Sequence, residues 1–190
     1  MEREVMITGI GGQGVQLAAQ VLARAAMLDG REVMYLGVYS GMMRGGNTDS
    51  TVVVADRPIE SPPVVSHAWC AIAMHDEFFG PVEEKLRPGG VAVVNASTFT
   101  HDIAADVTVH RVDATSVATD AGNALAASLV LLAATSALTD LVRCDALVEA
   151  MRQSLPAYRT QHIATNERAL RAGWELLPHN ARPAWEAARV

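Results

Sequence analysis

Residues 7–15, Ile-Thr-Gly-Ile-Gly-Gly-Gln-Gly-Val, carry four glycines in six positions, and this cluster restricts what the chain can build around it. Before it stands an apolar, strand-like run, Val5, Met6 and Ile7. After it, Val15, Leu17, Ala18, Val21, Leu22 and Ala25 recur at helical spacing. Gly9, Gly11 and Gly14 therefore sit in the turn between a strand and a helix, the context in which G-x-G-x-x-G is informative. Glycine permits the tight turn, and its missing Cβ lets a ligand or another stretch of backbone reach the N–H groups. Those N–H groups and the dipole of the following helix favour an anion. The alternative is that the glycines serve only close packing of helix on sheet.

At 190 residues, half of them hydrophobic and 19% charged, the chain is long enough for one domain with a substantial core. The expected division is a single domain over 1–177 and a C-terminal tail over 178–190 that lies on a partner or stays mobile. A net charge of −6 with no basic run argues against nucleic acid. Cys70 and Cys144 stand far apart, so no zinc or iron–sulfur ligand set and no disulfide framework is expected. The N-terminal run is too broken for a signal peptide, and the longest apolar stretch, Ala124 to Leu138, is shorter than a bilayer span. The expectation is a cytoplasmic protein without a membrane anchor, with Ala124 to Leu138 as core first and interface second.

Further along, Glu32 to Val38 reads as a second strand, ending Leu36-Gly37-Val38-Tyr39 without the acidic residue that would hold a ribose in a nicotinamide-binding unit. Tyr39 to Thr48 forms a second glycine-rich loop, leading into a β-branched run from Asp49 to Ala55. Within it Arg44-Gly45-Gly46 offers a guanidinium on open backbone, suited to a carboxylate or phosphate or equally to tying the loop down. Trp69 to Met74 reads as a buried strand with His75 at its carboxyl end, where ligands gather in open parallel sheets and where loop histidines are also common. A short helix is expected over 78–86, stopped by Pro88-Gly89-Gly90, with Glu83-Glu84 on a solvated face. Strands follow at Val91 to Asn95 and Val107 to Val112, then helices at 115–122, 123–138, 145–155 and 166–176. This order gives an α/β fold, Rossmann-like and three-layered, with a mostly parallel sheet flanked by helices and a helical C-terminal part. No catalytic motif and no metal ligand set stands out, so neither catalytic nor metal residues are assigned.

The motifs together resemble the γ subunit, or γ domain, of the 2-oxoacid:ferredoxin oxidoreductases. They are Gly9 to Val15, Tyr39 to Gly46 against the family's Tyr-Gly-Pro-Glu-x-Arg-Gly-Gly, Ile59-Glu60-Ser61-Pro62, Pro88 to Asn95, Gly122-Asn123-Ala124, and Asn166 with Gly173. Met42 stands where the family usually has glutamate, Ser40-Gly41 replaces Gly-Pro, and Ser128 takes the place of a common asparagine. The resemblance implies a subunit that is not catalytic alone. Its partners would be α and β subunits holding thiamine diphosphate and Mg2+, and a ferredoxin-like subunit holding iron–sulfur clusters. The complex would convert a 2-oxoacid to an acyl-coenzyme A and pass electrons to ferredoxin or another acceptor. For this chain the implied contacts with coenzyme A are Gly11, Gly12, Gln13, Gly14, Arg44, Gly45 and Gly46. Two other readings remain open: a stand-alone nucleotide-binding oxidoreductase and a purely architectural subunit.

Overall fold

The computed structural model describes residues 1–39, 45–60 and 64–185. Six strands form one sheet in the order β2-β3-β1-β4-β5-β6: β1 Glu2–Ile10, β2 Glu32–Tyr39, β3 Asn47–Ala55, β4 Ala68–Ala73, β5 Leu86–Asn95 and β6 Val107–Val112. The pairs β1–β4, β4–β5 and β5–β6 are parallel. Only β3 runs against its neighbours, wedged between β1 and β2. A nucleotide-binding βαβ unit would place β2 directly beside β1. Here β3 occupies that position, so the end of β2 is one strand too far away to serve as a ribose-binding position, whatever residue it carries.

Helix α1, Val15–Leu28, covers one face of β1, β2 and β3 with buried Val15, Ala18, Ala19, Val21, Leu22, Ala25 and Ala26. It ends at Gly30 in the left-handed region, and the Asp29 carboxylate accepts the Arg143 N–H (2.8 Å) and Nε (2.7 Å), tying the helix end to the residue before Cys144. Helices α3 (Ala114–Asp120), α4 (Ala127–Thr139), α5 (Cys144–Ser154) and α6 (Ile163–Trp174) complete this layer. All thirteen residues of α4 are buried, so the apolar stretch is core from Ala127 onward, while Leu125 before it is 73% exposed. α6 lies tight against α4, where Gly173 meets the backbone of Val130.

The opposite face is covered over β4 and β5 by the four-residue α2, Gly80–Glu83, and by Phe79 and Phe99, whose rings meet edge to face at 4.9 Å. The helix expected over 78–86 is thus a single turn. Pro88-Gly89-Gly90 does not stop it but lies inside β5, where Gly89 has φ +75° and a Cβ on Gly90 would meet the Trp69 carbonyl at 2.7 Å.

Loop 96–106 lies on this face and is held by side chains. Glu83, expected on a solvated surface, is instead a clamp: its carboxylate accepts the N–H groups of Ala104 (2.5 Å) and Ala105 (3.2 Å) and meets His101 Nε2 at 2.8 Å. Asp76 Oδ2 accepts the Thr100 N–H and hydroxyl, both at 2.8 Å, and the His101 N–H at 3.2 Å. The Thr100 N–H, then its hydroxyl, hold the Asp76 carboxyl below the ordinary carboxylate range. A depressed folded-state pKa gives stability that is complete above the unfolded value, about 3.9, and is lost as pH falls through the folded value. Acid should therefore release this loop first. Amide exchange at Thr100 and His101 is expected to accelerate below about pH 4 relative to the sheet, and Asp76→Asn should flatten that pH dependence.

The C-terminal stretch departs from expectation. Residues 178–185 pack on their own chain: the N–H groups of Asn180, Arg182 and Ala184 donate to the carbonyls of Ala137, Leu138 and Thr139 at 2.7, 2.9 and 2.6 Å. They satisfy carbonyls that the end of α4 leaves open. Ala184 is fully buried, and Trp185 lies under the Arg31 guanidinium at 4.0 Å. Residues 186–190 lie outside the described residues.

Candidate functional site

The first glycine loop folds on itself. The Ile10 N–H donates to the Gln13 side-chain oxygen at 2.9 Å, and the Gln13 N–H returns to the Ile10 carbonyl at 3.2 Å. Gly12 and Gly14 take φ of +103° and +80°, a region costly for other residues. Gly9 serves packing, since a Cβ there would lie 2.6 Å from Gln13 Oε1 and 2.9 Å from Met74 Cβ. The tight turn and the close packing are thus served by different glycines. The Gln13 oxygen is engaged within the loop.

The two glycine loops meet. The Gly11 N–H donates to the Gly46 carbonyl at 2.9 Å, and a Cβ on Gly11 would lie 3.3 Å from the Gly45 nitrogen. Gly11, Gly12, Gln13, Gly14, Gly45 and Gly46 therefore form one backbone assembly at the carboxyl end of β1 and the start of β3. Arg44, with Ser40 to Met43, lies outside the described residues.

At this assembly α1 begins without a cap. Gly14 supplies no side chain to the first-turn N–H groups, and no acidic residue stands in that turn. A helix start in this condition attracts an anion. It opens on a cleft of about 490 Å3 lined by Gly12, Gly14 and Val15 to Leu17 on one side. The other wall comes from distant sequence: Leu125 and Ala126, Asn123 and Asn166, and Leu155, Arg159 and His162. Asn123 Nδ2 donates to Asn166 Oδ1 at 2.7 Å, joining the turn before α4 to the first half of α6. Arg159 and His162 stand on a 3-10 turn, Ala157–His162, none of whose residues is buried.

Thr48 completes the cleft from β3. It is only 4% exposed, and its hydroxyl has no hydrogen-bond partner among the described residues. A buried hydroxyl without a partner is costly in a folded chain, which suits a group whose partner is a ligand. The cleft thus combines backbone donors, the Thr48 hydroxyl, the Arg159 guanidinium and the His162 imidazole with the apolar side chains of Leu125 and Leu129, a combination suited to a phosphate-bearing molecule with an apolar limb.

Sequence reasoning located the loops but missed Thr48, Arg159 and His162, and it met Asn123 and Asn166 only as motif residues. His75 lies in a separate turn, its Nδ1 accepting the Glu77 N–H at 3.1 Å. Cys70 is buried in the sheet, and burial pushes its thiol up to about 12; Cys144 opens α5 on another element. Among the described residues these thiols make no shared donor set, and no group of three or more His, Cys, Asp and Glu side chains could hold a metal ion.

Residues 4–176 match the family model described as pyruvate ferredoxin/flavodoxin oxidoreductase. The chain belongs to this family. Among relatives, the 2-oxoglutarate synthase subunit KorC of Methanocaldococcus jannaschii is 30% identical over 160 residues, 82% of this chain and 85% of that one. The γ subunit of a keto/oxoacid ferredoxin oxidoreductase from Geobacter sulfurreducens PCA superposes with a TM-score of 0.80 at 26% identity, over 92% of this chain and 95% of that one. A 2-oxoglutarate:ferredoxin oxidoreductase from Magnetococcus marinus, solved with 2-oxoglutarate, coenzyme A and succinyl-CoA bound, shares the fold at TM-score 0.78 and 18% identity. There the match covers 90% of this chain and 30% of the longer one. This chain is thus a γ-type subunit of the 2-oxoacid oxidoreductases, and its α/β fold is the one these γ chains share. Pyruvate and 2-oxoglutarate both occur in the matched names, so the likeness assigns no single oxoacid.

Proposed function

We propose that this γ-type subunit supplies the phosphate-holding part of the acyl-acceptor site in a 2-oxoacid oxidoreductase complex, with coenzyme A as the acceptor. The uncapped start of α1, opening on the cleft that Thr48, Arg159 and His162 also line, is the observation that carries this reading. The first-turn N–H groups would hold a phosphate, Thr48 would donate to it, and Arg159 would neutralise a second anionic group. Arg44, next to Gly45 and Gly46 in the sequence, would bind the same ligand. The structure's likeness to a chain solved with coenzyme A bound is consistent with this assignment.

Decarboxylation and electron transfer are assigned in this reading to partner chains of the complex, an α and β pair and a ferredoxin-like chain. None of the described helices is long and apolar enough to cross a membrane, and the proposed setting of the complex is the cytoplasm.

In the assembled complex, Arg159→Ala and Arg44→Ala should each raise the KM for coenzyme A about tenfold, the effect of losing one charge-assisted hydrogen bond of about 1.5 kcal/mol. Turnover at saturating coenzyme A should hold. An unchanged KM with intact assembly would remove these arginines from the site, and loss of assembly alone would favour the architectural role.

A further inference from the structure

We propose that the side-chain amide of Asn166 donates a hydrogen bond to a secondary-amide carbonyl in the arm of coenzyme A, between its phosphates and its thiol. The inference rests on the reading of the cleft as the acyl-acceptor site, and it assigns the part of the ligand that the anion-binding groups do not hold.

A chain of hydrogen bonds fixes the polarity of this amide. The Leu125 N–H, which can only donate, meets Asn123 Oδ1 at 3.3 Å. Asn123 therefore turns Nδ2 toward α6, where it donates to Asn166 Oδ1 at 2.7 Å. The Asn166 Nδ2 group, which can itself only donate, then has no acceptor among the described residues. Asn166 is 3% exposed and lines the cleft. A donor on a side chain this buried calls for an acceptor, and the cleft is where a ligand can supply one.

The frame holding the pair is itself tied down. The Asn123 N–H donates to the Ala118 carbonyl at 2.9 Å. From α6, Arg168 Nε and Nη2 both donate to the Ala121 carbonyl, at 3.2 and 2.9 Å, so the turn before α4 is joined to α6 by two separate links. Leu125, Ala126 and Leu129 share the cleft with Asn166. A neutral donor in apolar company suits a neutral carbonyl, whereas the first-turn N–H groups of α1 and the Arg159 guanidinium suit phosphate. The arm of coenzyme A offers such carbonyls with apolar carbons on either side.

Adenosine 3′,5′-bisphosphate, which carries phosphates and no arm, is the probe that separates the two contacts. In the assembled complex, Asn166→Leu, close in size but without a donor, should raise the KM for coenzyme A about fivefold, the loss of one neutral hydrogen bond. Inhibition by the bisphosphate should be unchanged. In NMR of the isotopically labelled wild-type chain, the Asn166 side-chain NH2 resonances should shift with coenzyme A and stay in place with the bisphosphate. This second readout needs no variant, and a merely structural tie between Asn123 and Asn166 would not move it. Equal weakening of both ligands, an unchanged KM, or Asn166 resonances that ignore coenzyme A would each overturn the proposal. A bisphosphate that fails to compete in the wild-type complex strikes the phosphate-holding reading instead, while the KM of Asn166→Leu and the amide resonances still decide the contact with the arm.

Discussion

Gly173→Ala should destabilise the chain by about 2 kcal/mol, an effect opposite in sign to the usual gain from replacing glycine inside a helix. Helix propensity alone favours alanine by about 1 kcal/mol. Here the new Cβ would stand 2.5 Å from the Val130 carbonyl oxygen, 2.9 Å from its Cα and 3.0 Å from its carbonyl carbon. These are backbone atoms of a fully buried helix, so relief requires separating α6 from α4. Overpacking of this kind costs about 1–3 kcal/mol, with more for a rigid neighbour, and it outweighs the propensity gain. In a chain of this size the melting temperature should fall by roughly 4–8 °C. A stabilised Gly173→Ala would show that the two helices are not in backbone contact.

Gly14→Ala should cost a similar amount for two separable reasons. Its φ of +80° is penalised by about 1–2 kcal/mol for any residue with a Cβ. The Cβ would also stand 2.6 Å from the Ser128 hydroxyl, which lies 3.3 Å from the Gly14 carbonyl and is buried. Ser128→Ala removes the steric part and leaves the backbone part, so a double-mutant cycle in chemical denaturation should show the two substitutions to be coupled. If Gly14→Ala costs the same in both backgrounds, Ser128 does not limit this position.

How much of this could be read from the residues varied with the distance over which each signal acts. The strand–glycine loop–helix unit of β1 and α1 was legible because every component lies within a few residues of the next. β6 and α3 to α6 were legible from spacing, with ends displaced by a residue or a few. The position of β3 was not, since its pairing with both β1 and β2 depends on three separate segments meeting. Nor was the role of Pro88-Gly89-Gly90, because the same residues that stop a helix also suit an irregular strand. Glu83 looked like solvated surface until loop 96–106 folded over it. For the candidate site, the glycine assembly was visible in the sequence, but its opposite wall was not: Arg159 and His162 stand well over a hundred residues from Gly14 on a short 3-10 turn with no periodic signature. Thr48 was hidden for a different reason. An ordinary threonine in a β-branched run becomes informative only when its buried hydroxyl is found without a partner.

The fold places the glycine loops, Thr48 and the turn at 157–162 around one cleft, and the central claim is that this cleft receives the phosphates of coenzyme A. Titrating coenzyme A into the isotopically labelled full chain, with amide shifts followed by NMR, tests that claim most directly. Saturable shifts are expected, concentrated at Gly12, Gly14, Val15, Gln16, Leu17 and Thr48, with smaller changes at Arg159 and His162. Shifts confined to other surfaces, or none at these amides while the assembled complex binds coenzyme A, would contradict it.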